Sequence, residues 1–555
     1  MTQSASMVLD TLPALLDHWA DTCPDRTWMR ALREEGSSDW NWGQARGEIM
    51  AVASVLEEDF GHGARMAILS QNSPYWVLAD LAVIASGNVT VSLFTTLPTD
   101  TAQYILDFCE TRLLFVGPAA NWEAVSAVLP ADCTVVALPG VALSRPHLKW
   151  EELVARGAGR RPSHRATPDE LISLVFTSGT TGKPKGVMQT HESNLIPIRR
   201  FTKAFGTAEG SRYFSYLPLS HIAERQIVEF SSLVLCGEIN FNRSLETLLP
   251  DLQRARPHIF FGAPRVWEQF QQVVIGKFGG QAALDAALAA DREGVSRTVL
   301  ESLGLDQSVY CLTASAPTPP PLIHWFGELG LTLMEGFGQT EAMGLIVSSM
   351  ETRRIGSVGK PLPGVECKIT QEGELAVRSD GNTPGYYREP QKTAELLRDG
   401  WLHTGDKARV DEDGFVYITG RVKDYFKTIQ GKFVAPPPIE GAFAKNHYVQ
   451  QQCLLGRGYS KTVMVTVLSD EALTAPREAV EQSLRETVES INAEVEHHAR
   501  IGAVIISREP WGIENDILTP TLKIRREQVE QRFGEVAQQL ARQAAERKTL
   551  LVHWE

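Results

Sequence analysis

Apolar positions up to about residue 420 follow two alternating patterns. Amphipathic stretches with helical spacing are separated by short runs rich in β-branched residues, which are Arg65–Leu69, Arg112–Val116, Thr134–Leu138 and Leu171–Phe176. Strands that alternate with helices are typical of parallel sheets covered by helices. The pattern therefore predicts an α/β fold for this part of the chain.

The pattern changes between Ile355 and Ile418, where short strands are separated by Gly and Asp turns. Such spacing predicts a small antiparallel or barrel-like unit. A further strand–helix pattern follows Gly420–Asp424 and ends in a polar helix from Arg525 to about Lys548. We predict an N-terminal domain over 1–420 with a barrel-like subdomain at about 355–420, a hinge at 421–424 and an α+β C-terminal domain over 425–555.

The longest apolar region, Trp76–Phe94, approaches the roughly 20 residues that span a bilayer. Asp80 and the pair Gly87-Asn88 interrupt it, so we predict a buried helix followed by the strand Val89–Phe94 and no transmembrane segment. The N-terminus has no basic segment before its first apolar stretch, so we expect no secretory signal.

Composition excludes several classes of function. Apolar residues make up 43% and charged residues 22%, as in ordinary globular proteins. The formal charge of −13 argues against nonspecific binding of nucleic acid, which needs clustered Lys and Arg. The seven cysteines are scattered and never spaced as CxxC, which predicts neither a disulfide framework nor a zinc site. We expect a cytoplasmic protein; its oligomeric state and any peripheral membrane contact stay open.

The segment from Thr177 to Gly186 carries the strongest chemical signal. Glycine lets the backbone approach a polyanion, hydroxyl groups donate hydrogen bonds and lysines supply charge. Pro184 and the missing Ser or Thr after a Gly-Lys pair distinguish the segment from a P-loop, and a mobile linker rarely follows a buried strand. The residues predicted to bind a triphosphate are Thr177, Ser178, Gly179, Thr180, Thr181, Gly182, Lys183 and Lys185.

A second segment has the groups that an adenine nucleotide requires. Phe337 offers a flat apolar surface, the glycines allow close approach to a phosphate, and Glu341 offers a carboxylate for Mg²⁺. A surface ion pair is the alternative role for such a glutamate. The residues predicted to contact the nucleotide here are Gly336, Phe337, Gly338, Gln339 and Thr340, and Glu341 is the predicted metal ligand.

Asp406 follows a Thr-Gly pair, and its carboxylate is suited to accept hydrogen bonds from both ribose hydroxyls. The same residue could instead organise a turn. Lys523 lies in a loop between threonines and a basic cluster, where a solvated surface charge is the ordinary expectation.

These segments, in order along nearly the whole chain, resemble the adenylate-forming superfamily of acyl-CoA synthetases, peptide-synthetase adenylation domains and beetle luciferases. The other matching segments are Tyr216–His221, Thr404–Asp406, Gly420–Asp424 and Leu518–Lys523. The resemblance implies an N-terminal domain of two helix-covered sheets and a small barrel-like unit, followed by a small mobile C-terminal domain. It also implies that ATP, with Mg²⁺, activates a carboxylic acid as acyl-AMP before coenzyme A accepts the acyl group.

The same resemblance implies individual roles. Thr340 would contact the α-phosphate, Glu341 would hold the metal, and Lys523 would bridge the acid and the α-phosphate, where charge develops during attack. The remaining roles are an adenine-edge loop at Ala314, Ser315 and Ala316, a ribose contact by Asp406 with help from Arg421, and a catalytic position for His221.

Two half-reactions imply that the site is rebuilt between them. In the family, the C-terminal domain rotates about a hinge that matches Lys423 and brings the loop around Gly431 to the acyl end. Many members have Asp at this position. An exposed linker charge explains Lys423 equally well.

Three positions bear on the choice of acid. Short-acyl members carry Trp where this chain has Gly338, which implies a more open pocket. Amino-acid-activating members usually place Asp where Ile222 stands, and an isoleucine cannot pair with an ammonium group. The string Tyr216–Arg225 looks most like long-chain acyl-CoA synthetases, although some of these have an aromatic gate in place of Arg225.

We therefore expect a medium- or long-chain fatty acid as substrate, with His221, Ile222, Gly338 and Gly431 around the acyl and pantetheine pocket. The alternative is a ligase for an aromatic or other carboxylic acid, or one that delivers to a carrier protein. A nonenzymatic nucleotide-binding protein is disfavoured because Lys523, Glu341 and Asp406 are all present.

Overall fold

The structure is a computed structural model that describes residues 9–177, 183–347, 349, 352–519 and 523–555. Among these residues the α-helices are α1 Leu12–Thr22, α2 Trp42–Phe60, α3 Pro74–Ala85, α4 Thr99–Cys109, α5 Trp122–Ser126, α6 Trp150–Gly157, α7 His191–Phe205, α8 Ile222–Glu224, α9 Ser231–Val234, α10 Leu248–Ala255, α11 Pro264–Phe278, α12 Gln281–Ala290, α13 Arg292–Leu303, α14 Pro320–Glu328, α15 Pro390–Leu396, α16 Pro436–Phe443, α17 Asp470–Thr474, α18 Arg477–Glu494 and α19 Arg526–Arg547. A π-helical segment, Arg225–Phe230, joins α8 to α9, and a 3₁₀ turn covers His497–Ala499.

The strands of the same residues are β1 Thr27–Leu32, β2 Ser37–Asn41, β3 Arg65–Leu69, β4 Val89–Leu93, β5 Leu113–Val116, β6 Thr134–Ala137, β7 Leu148–Lys149, β8 Leu171–Thr177, β9 Lys185–Thr190, β10 Arg212–Ser215, β11 Glu238–Phe241, β12 Ile259–Gly262, β13 Tyr310–Thr313, β14 Leu333–Gln339, β15 Ala342–Val347, β16 Lys360–Pro361, β17 Glu366–Ile369, β18 Glu374–Arg378, β19 Leu397–Arg398, β20 Trp401–Val410, β21 Val416–Arg421, β22 Phe426–Lys427, β23 Phe433–Val434, β24 Val449–Leu455, β25 Thr462–Leu468, β26 Ile501–Ser507 and β27 Leu551–Trp554.

Two large sheets form the N-terminal part of the molecule. One has seven strands in the order β7-β6-β5-β3-β4-β8-β9, and the other has nine in the order β16-β15-β14-β13-β12-β10-β11-β1-β2. Their central strands are parallel, as the alternation of helices and strands predicts. The sequence did not indicate the antiparallel pairs at their edges, which are β8–β9, β1–β2 and β14–β15–β16.

Helix α3 explains the long apolar stretch of the sequence. It contacts β3 and β4 of the seven-stranded sheet and β1 of the nine-stranded sheet. Apart from the partly exposed Tyr75, every residue of α3 is buried, and so is every residue of β4. The predicted buried helix and following strand are confirmed, because packing against two sheets removes both faces of the helix from water.

The described region after residue 365 contains three smaller sheets, one of which is the two-stranded pair β22–β23. Strands β17–β21 form an antiparallel sheet. The Gly and Asp turns predict an antiparallel or barrel-like unit here, and the sheet corresponds to the first of these. A four-stranded sheet, β24-β25-β26-β27, follows, with α18 and α19 contributing apolar residues to the two cores beside it.

No single helix of the described residues is long and apolar enough to cross a membrane. The bent pair of α11 and α12 passes the test of length and composition only when the two helices are taken together, and they meet at 75°.

Candidate active site

Asn72 fixes the loop that carries His221. Its amide nitrogen donates to Ser215 Oγ at 2.8 Å and to Leu217 O at 2.5 Å, while its amide oxygen accepts from the Leu219 N–H at 2.9 Å. Asn72 follows β3 of one large sheet, and Ser215 ends β10 of the other. The contact therefore joins the two sheets where the carboxyl ends of their strands meet, which is where open α/β sheets bind ligands.

The predicted phosphate-binding segment connects two antiparallel strands. Thr177 ends β8 and pairs in register with Lys185 at the start of β9, so a strand, not a helix, follows this segment. Ser178, Gly179, Thr180, Thr181 and Gly182 lie outside the described residues. Lys183 places its ammonium group 4.8 Å from the centre of the Tyr104 ring.

The second nucleotide segment forms a bulged hairpin between β14 and β15. Phe337 pairs with Ile346 and Gln339 with Ala342, and the register shifts between Phe337 and Gln339. The turn presents Thr340 and Glu341. The amide of Gln189, on β9, donates to Thr340 O at 2.8 Å, so the hairpin is held against the strand that begins at Lys185.

Tyr386 positions the side chain of Glu341. Its hydroxyl donates to Glu341 Oε1 at 2.7 Å, and the Thr383 N–H donates to Glu341 O at 2.8 Å. Burial raises the pKa of Tyr386 and the Glu341 carboxylate raises it further, so the phenol stays a neutral donor. No hydrogen bond recorded among the described residues involves the other Glu341 carboxylate oxygen, Oε2.

Lys185 lies over the same tyrosine, with Nζ 4.6 Å from the centre of the Tyr386 ring. Burial lowers the pKa of Lys185, and the positive charges of Lys392 and Lys423 lower it too, whereas Glu341 raises it. The ammonium group of a predicted phosphate ligand thus lies near the carboxylate of the predicted metal ligand.

Asp406 and Arg421 are paired across β20 and β21. Arg421 Nε lies 2.9 Å from Asp406 Oδ1, and the Asp406 side chain is buried whereas that of Arg421 is half exposed. Burial raises the pKa of Asp406 to about 6, although Arg421 and Lys523 lower it. The carboxylate is therefore ionised at neutral pH and available as an acceptor.

Lys523 lies close enough to this group for the charges to interact. Burial lowers the pKa of Lys523 and Arg421 lowers it further, while Asp406 and Glu341 raise it. Protein atoms surround the Lys523 side chain and lower its pKa, but the residue still has a surface exposed to solvent. Its backbone is anchored to Thr519, whose N–H donates to Lys523 O at 2.8 Å and whose Oγ1 accepts from the Lys523 N–H at 3.0 Å.

His221 caps the N-terminus of helix α8, where its Nδ1 accepts a hydrogen bond from the Ala223 N–H at 3.2 Å. Burial lowers the pKa of His221 to about 4, and the charge of Lys523 lowers it as well. The imidazole is neutral at physiological pH. Ile222, the next residue, is 1% exposed.

Other predicted site residues lie around this group. Ala314, Ser315 and Ala316 follow β13, and Ser315 adopts a left-handed φ of 72° that turns the loop. Lys423 lies near Lys185, as the effect on the pKa of that lysine indicates. Gly431 lies in the turn between β22 and β23, and no hydrogen bond recorded for the described residues joins it to Glu341, Asp406 or Lys523.

Arg225, which stands at the aromatic-gate position, lies in a fully buried ionic cluster. Its guanidinium group contacts Asp80, lies 3.4 Å from Glu229 Oε2 and donates to Ser173 Oγ at 2.7 Å. All three ionisable side chains are 0% exposed. Burial and the Asp80 carboxylate raise the pKa of Glu229, whereas the positive charge of Arg225 lowers it.

Sequence reasoning missed Asn72, Gln189 and Tyr386. A Pro-Gly pair precedes Tyr386 and indicates a turn, but it does not indicate that the turn returns to β9. There the Tyr387 N–H donates to Gly186 O at 2.8 Å. These residues contact site positions through bonds that only the folded chain creates.

Among the described residues, no group of three or more His, Cys, Asp or Glu side chains could hold a metal by itself. Mg²⁺ is commonly held by one or two carboxylates together with substrate phosphates. The single Glu341 carboxylate fits that kind of site.

Comparison with known proteins identifies the family in which this arrangement of residues occurs. The family model described as AMP-binding enzyme matches residues 16–387, and the model of the AMP-binding enzyme C-terminal domain matches residues 423–544. The chain belongs to the AMP-binding enzyme family.

Named members of the AMP-binding enzymes resemble the chain over almost its full length. Long-chain-fatty-acid–CoA ligase FadD15 of Mycobacterium bovis is 29% identical over 95% of this chain and 96% of its own. Fatty acyl-CoA synthetase A of Dictyostelium discoideum is 27% identical over 91% of this chain and 86% of its own. The solved adenylation domain of a carboxylate reductase from Mycobacterium chelonae shares the fold, with a TM-score of 0.79, 22% identity, and coverage of 96% of this chain and 91% of that domain.

Proposed function

We propose that this AMP-binding enzyme activates a medium- or long-chain fatty acid with ATP and transfers the acyl group to coenzyme A. The observation that carries the proposal is the meeting of Lys523, Asp406 and Glu341, which lie far apart in the sequence. In the fold, Asp406 and Glu341 raise the pKa of Lys523, while Lys523 lowers and Glu341 raises the pKa of Asp406. The relatives support the acid and the acceptor, because one is named a long-chain-fatty-acid–CoA ligase and the other a fatty acyl-CoA synthetase, and they match 95% and 91% of this chain.

In the first half-reaction, a carboxylate oxygen of the acid attacks the α-phosphorus of ATP, the bond to the bridging oxygen breaks, and pyrophosphate leaves. Negative charge gathers on the α-phosphate oxygens as the bond forms. Lys523 supplies a positive charge beside that position, and Thr340, at the turn after β14, would donate a hydrogen bond to the same phosphate. Lys183 and Lys185 would bind the departing pyrophosphate.

Asp406 would hold the nucleotide by its ribose. An ionised carboxylate can accept a hydrogen bond from each of the two vicinal hydroxyls, and Arg421 orients it through the 2.9 Å contact. The adenine would lie between Phe337 and the backbone of the loop at Ala314–Ala316, where small side chains leave room for a flat base.

Glu341 would hold Mg²⁺, with Tyr386 fixing the direction of its carboxylate. When bound, the metal supplies positive charge that neutralises the triphosphate.

In the second half-reaction, the thiol of coenzyme A attacks the acyl carbon of the mixed anhydride, the bond to the phosphate oxygen breaks, and AMP leaves with a thioester formed. Lys523 lies where it would act in the first half-reaction, beside the α-phosphate. We propose that the segment over 425–555 turns about a hinge at 421–424, with Lys423 at its centre, and brings the turn at Gly431 to the acyl end.

The structure supports an apolar acid more than an amino acid. Ile222 is buried beside His221 and offers no carboxylate to an ammonium group, and His221 is neutral. Gly338 is exposed at the bulge of β14 and adds no side chain to the pocket. Some long-chain members have an aromatic residue at the position of Arg225. In this chain the arginine is directed into its own ion pairs.

An acid-dependent ATP–pyrophosphate exchange assay tests the first step, and a coupled assay for AMP release with coenzyme A tests the second. We expect exchange and thioester formation with fatty acids of increasing chain length. Exchange with aromatic acids alone would contradict the fatty-acid proposal, and exchange without thioester formation would contradict coenzyme A as acceptor. We also propose a cytoplasmic location, which fractionation of cells that express the protein can test.

A further inference from the structure

Cys23 and Cys236 bring their sulfur atoms together from distant parts of the chain. Cys23 follows helix α1, whereas Cys236 lies in the turn between α9 and β11, 213 positions later. The two Sγ atoms are 3.1 Å apart. A disulfide bond is about 2.05 Å long, so a combined shift of about 1 Å would bring the two sulfurs to bonding distance.

The backbone on both sides of this contact is fixed. The Cys23 N–H donates to Trp19 O at 2.8 Å, and the Trp19 indole N–H donates to Leu233 O at 2.6 Å, so the end of α1 is tied to the segment that leads into Cys236. Cys236 has a left-handed φ of 48°, which a residue with a side chain adopts only where the surrounding structure imposes it. The sulfur contact is therefore set by ordered structure on both sides.

The two thiols differ in their access to solvent. Cys23 is partly exposed, whereas Cys236 is 0% exposed. Burial and the adjacent Cys23 raise the pKa of Cys236 to about 12, so this thiol keeps its proton at neutral pH. Arg26 places Nη1 3.7 Å from Cys236 Sγ, and its positive charge lowers the pKa of Cys236, an effect smaller than that of burial. An oxidant from solvent would meet Cys23 first.

We propose that Cys23 and Cys236 form an intramolecular disulfide when the protein meets a hydroperoxide. The Cys23 thiolate attacks the terminal peroxide oxygen, an S–O bond forms and the O–O bond breaks. The leaving hydroxide or alkoxide takes up a proton to become water or an alcohol. Cys236 then displaces the hydroxyl group of the Cys23 sulfenic acid, forming the S–S bond and releasing water with the thiol proton. The two thiols supply the two electrons that reduce the peroxide.

The bond would join α1 to the end of α9 and close a long loop of the chain. Closing such a loop restricts the unfolded chain more than the folded one, so the oxidised protein should unfold at a higher temperature than the reduced protein, by several degrees. This proposal is independent of the function proposed above, because neither cysteine belongs to the site.

The test treats the full-length protein with hydrogen peroxide, blocks the remaining thiols with iodoacetamide and analyses the product by mass spectrometry. We expect a monomer lighter by two hydrogens before blocking, a linked peptide that contains both cysteines, and reversal by dithiothreitol. Cys23→Ser should abolish the linked peptide. Cys367→Ser is the matched control, since Cys367 is also partly exposed, and it should leave the linked peptide unchanged.

The result that would overturn the proposal is a Cys23 that is alkylated to the same extent before and after peroxide, or that is oxidised to sulfinic acid without any link to Cys236. Cys236 is buried, so Cys236→Ala is a second variant whose thermal unfolding is measured in the reduced state first. If it unfolds as the wild type does when reduced but gains no stability with peroxide, the bond is the cause of the gain. An equal gain in Cys236→Ala would contradict the proposal.

Discussion

Arg421 Nε lies 2.9 Å from Asp406 Oδ1, across neighbouring strands that pair the two residues in register. Burial nevertheless raises the pKa of Asp406 to about 6. If the ionised carboxylate binds ribose, ATP binding is complete above pH 6 and is lost as the pH falls through that value, because the protonated acid can no longer accept two hydrogen bonds. We expect the KM for ATP to rise below pH 6.

The measurement is KM for ATP from pH 5 to 8 in the wild type and in Asp406→Asn. The variant should bind ATP weakly at every pH and lose the rise in KM below pH 6. Asp380→Asn, at an exposed carboxylate, is the control and should keep the wild-type profile. A wild-type profile that is flat between pH 5 and 7 would exclude the proposed role of Asp406.

Lys523→Ala should abolish acyl-adenylate formation and leave thioester formation from preformed acyl-AMP largely intact. Its charge acts beside the α-phosphate only in the first step, and loss of one such group typically costs about 10²–10³-fold in rate. Pyrophosphate exchange and thioester formation are assayed separately, with Lys445→Ala as an exposed lysine control from the same region. Equal loss of both half-reactions would contradict a role for Lys523 in the first half-reaction alone.

Glu341→Ala should remove Mg²⁺-supported turnover while the protein stays folded, since a lost metal ligand weakens binding of the metal–nucleotide complex. Tyr386→Phe should have a smaller effect of the same kind. It removes only the 2.7 Å hydrogen bond that orients Glu341, and loss of such a supporting bond costs about 10–100-fold in metal affinity.

The Mg²⁺ concentration that gives half-maximal pyrophosphate exchange reports this effect, and circular dichroism checks the fold. Tyr387→Phe is the matched control, because the neighbouring tyrosine ring packs against Phe108 and Arg388 instead. If Tyr386→Phe and Tyr387→Phe behave alike, the bond to Glu341 has no role in metal binding.

Gly338→Trp should reduce the length of the acyl chain that the enzyme accepts. Gly338 is exposed at the bulge between β14 and β15, and an indole there would fill space that we assign to the acyl chain. Each buried methylene contributes about 0.8 kcal/mol, so longer acids should lose far more kcat/KM than acetate. A fall by the same factor for acetate and for the best longer acid would show that Gly338 does not border the acyl chain.

Arg225→Met should destabilise the protein by about 3–5 kcal/mol, because it leaves the buried carboxylates Asp80 and Glu229 without their positive partner. Urea denaturation measures the loss. The triple variant Asp80→Asn, Arg225→Met and Glu229→Gln removes all three ionisable groups and should recover most of it. A triple variant that is no more stable than Arg225→Met would mean that packing, and not charge pairing, explains the effect.

The local elements were largely predictable from the chain. The run Arg65–Leu69 is strand β3, and the polar run after Arg525 is helix α19 over Arg526–Arg547. Such elements follow from the periodicity of apolar residues, which is a property of the local sequence. The antiparallel strand after the phosphate segment was not predicted, because strand direction depends on what the next segment pairs with.

The sequence by itself determined the kinds of chemistry present: a glycine- and hydroxyl-rich segment with two lysines, a carboxylate after a glycine hairpin, and a basic residue close to the end of the chain. It also determined their order, which is enough to imply the family. Tertiary structure alone decided that Tyr386 orients Glu341, that Arg225 pairs with buried acids, and that Cys23 meets Cys236. These contacts join residues 45, 145 and 213 positions apart, and no local pattern encodes a pairing at such a separation, because it is the packing of whole sheets and helices that brings the two side chains together.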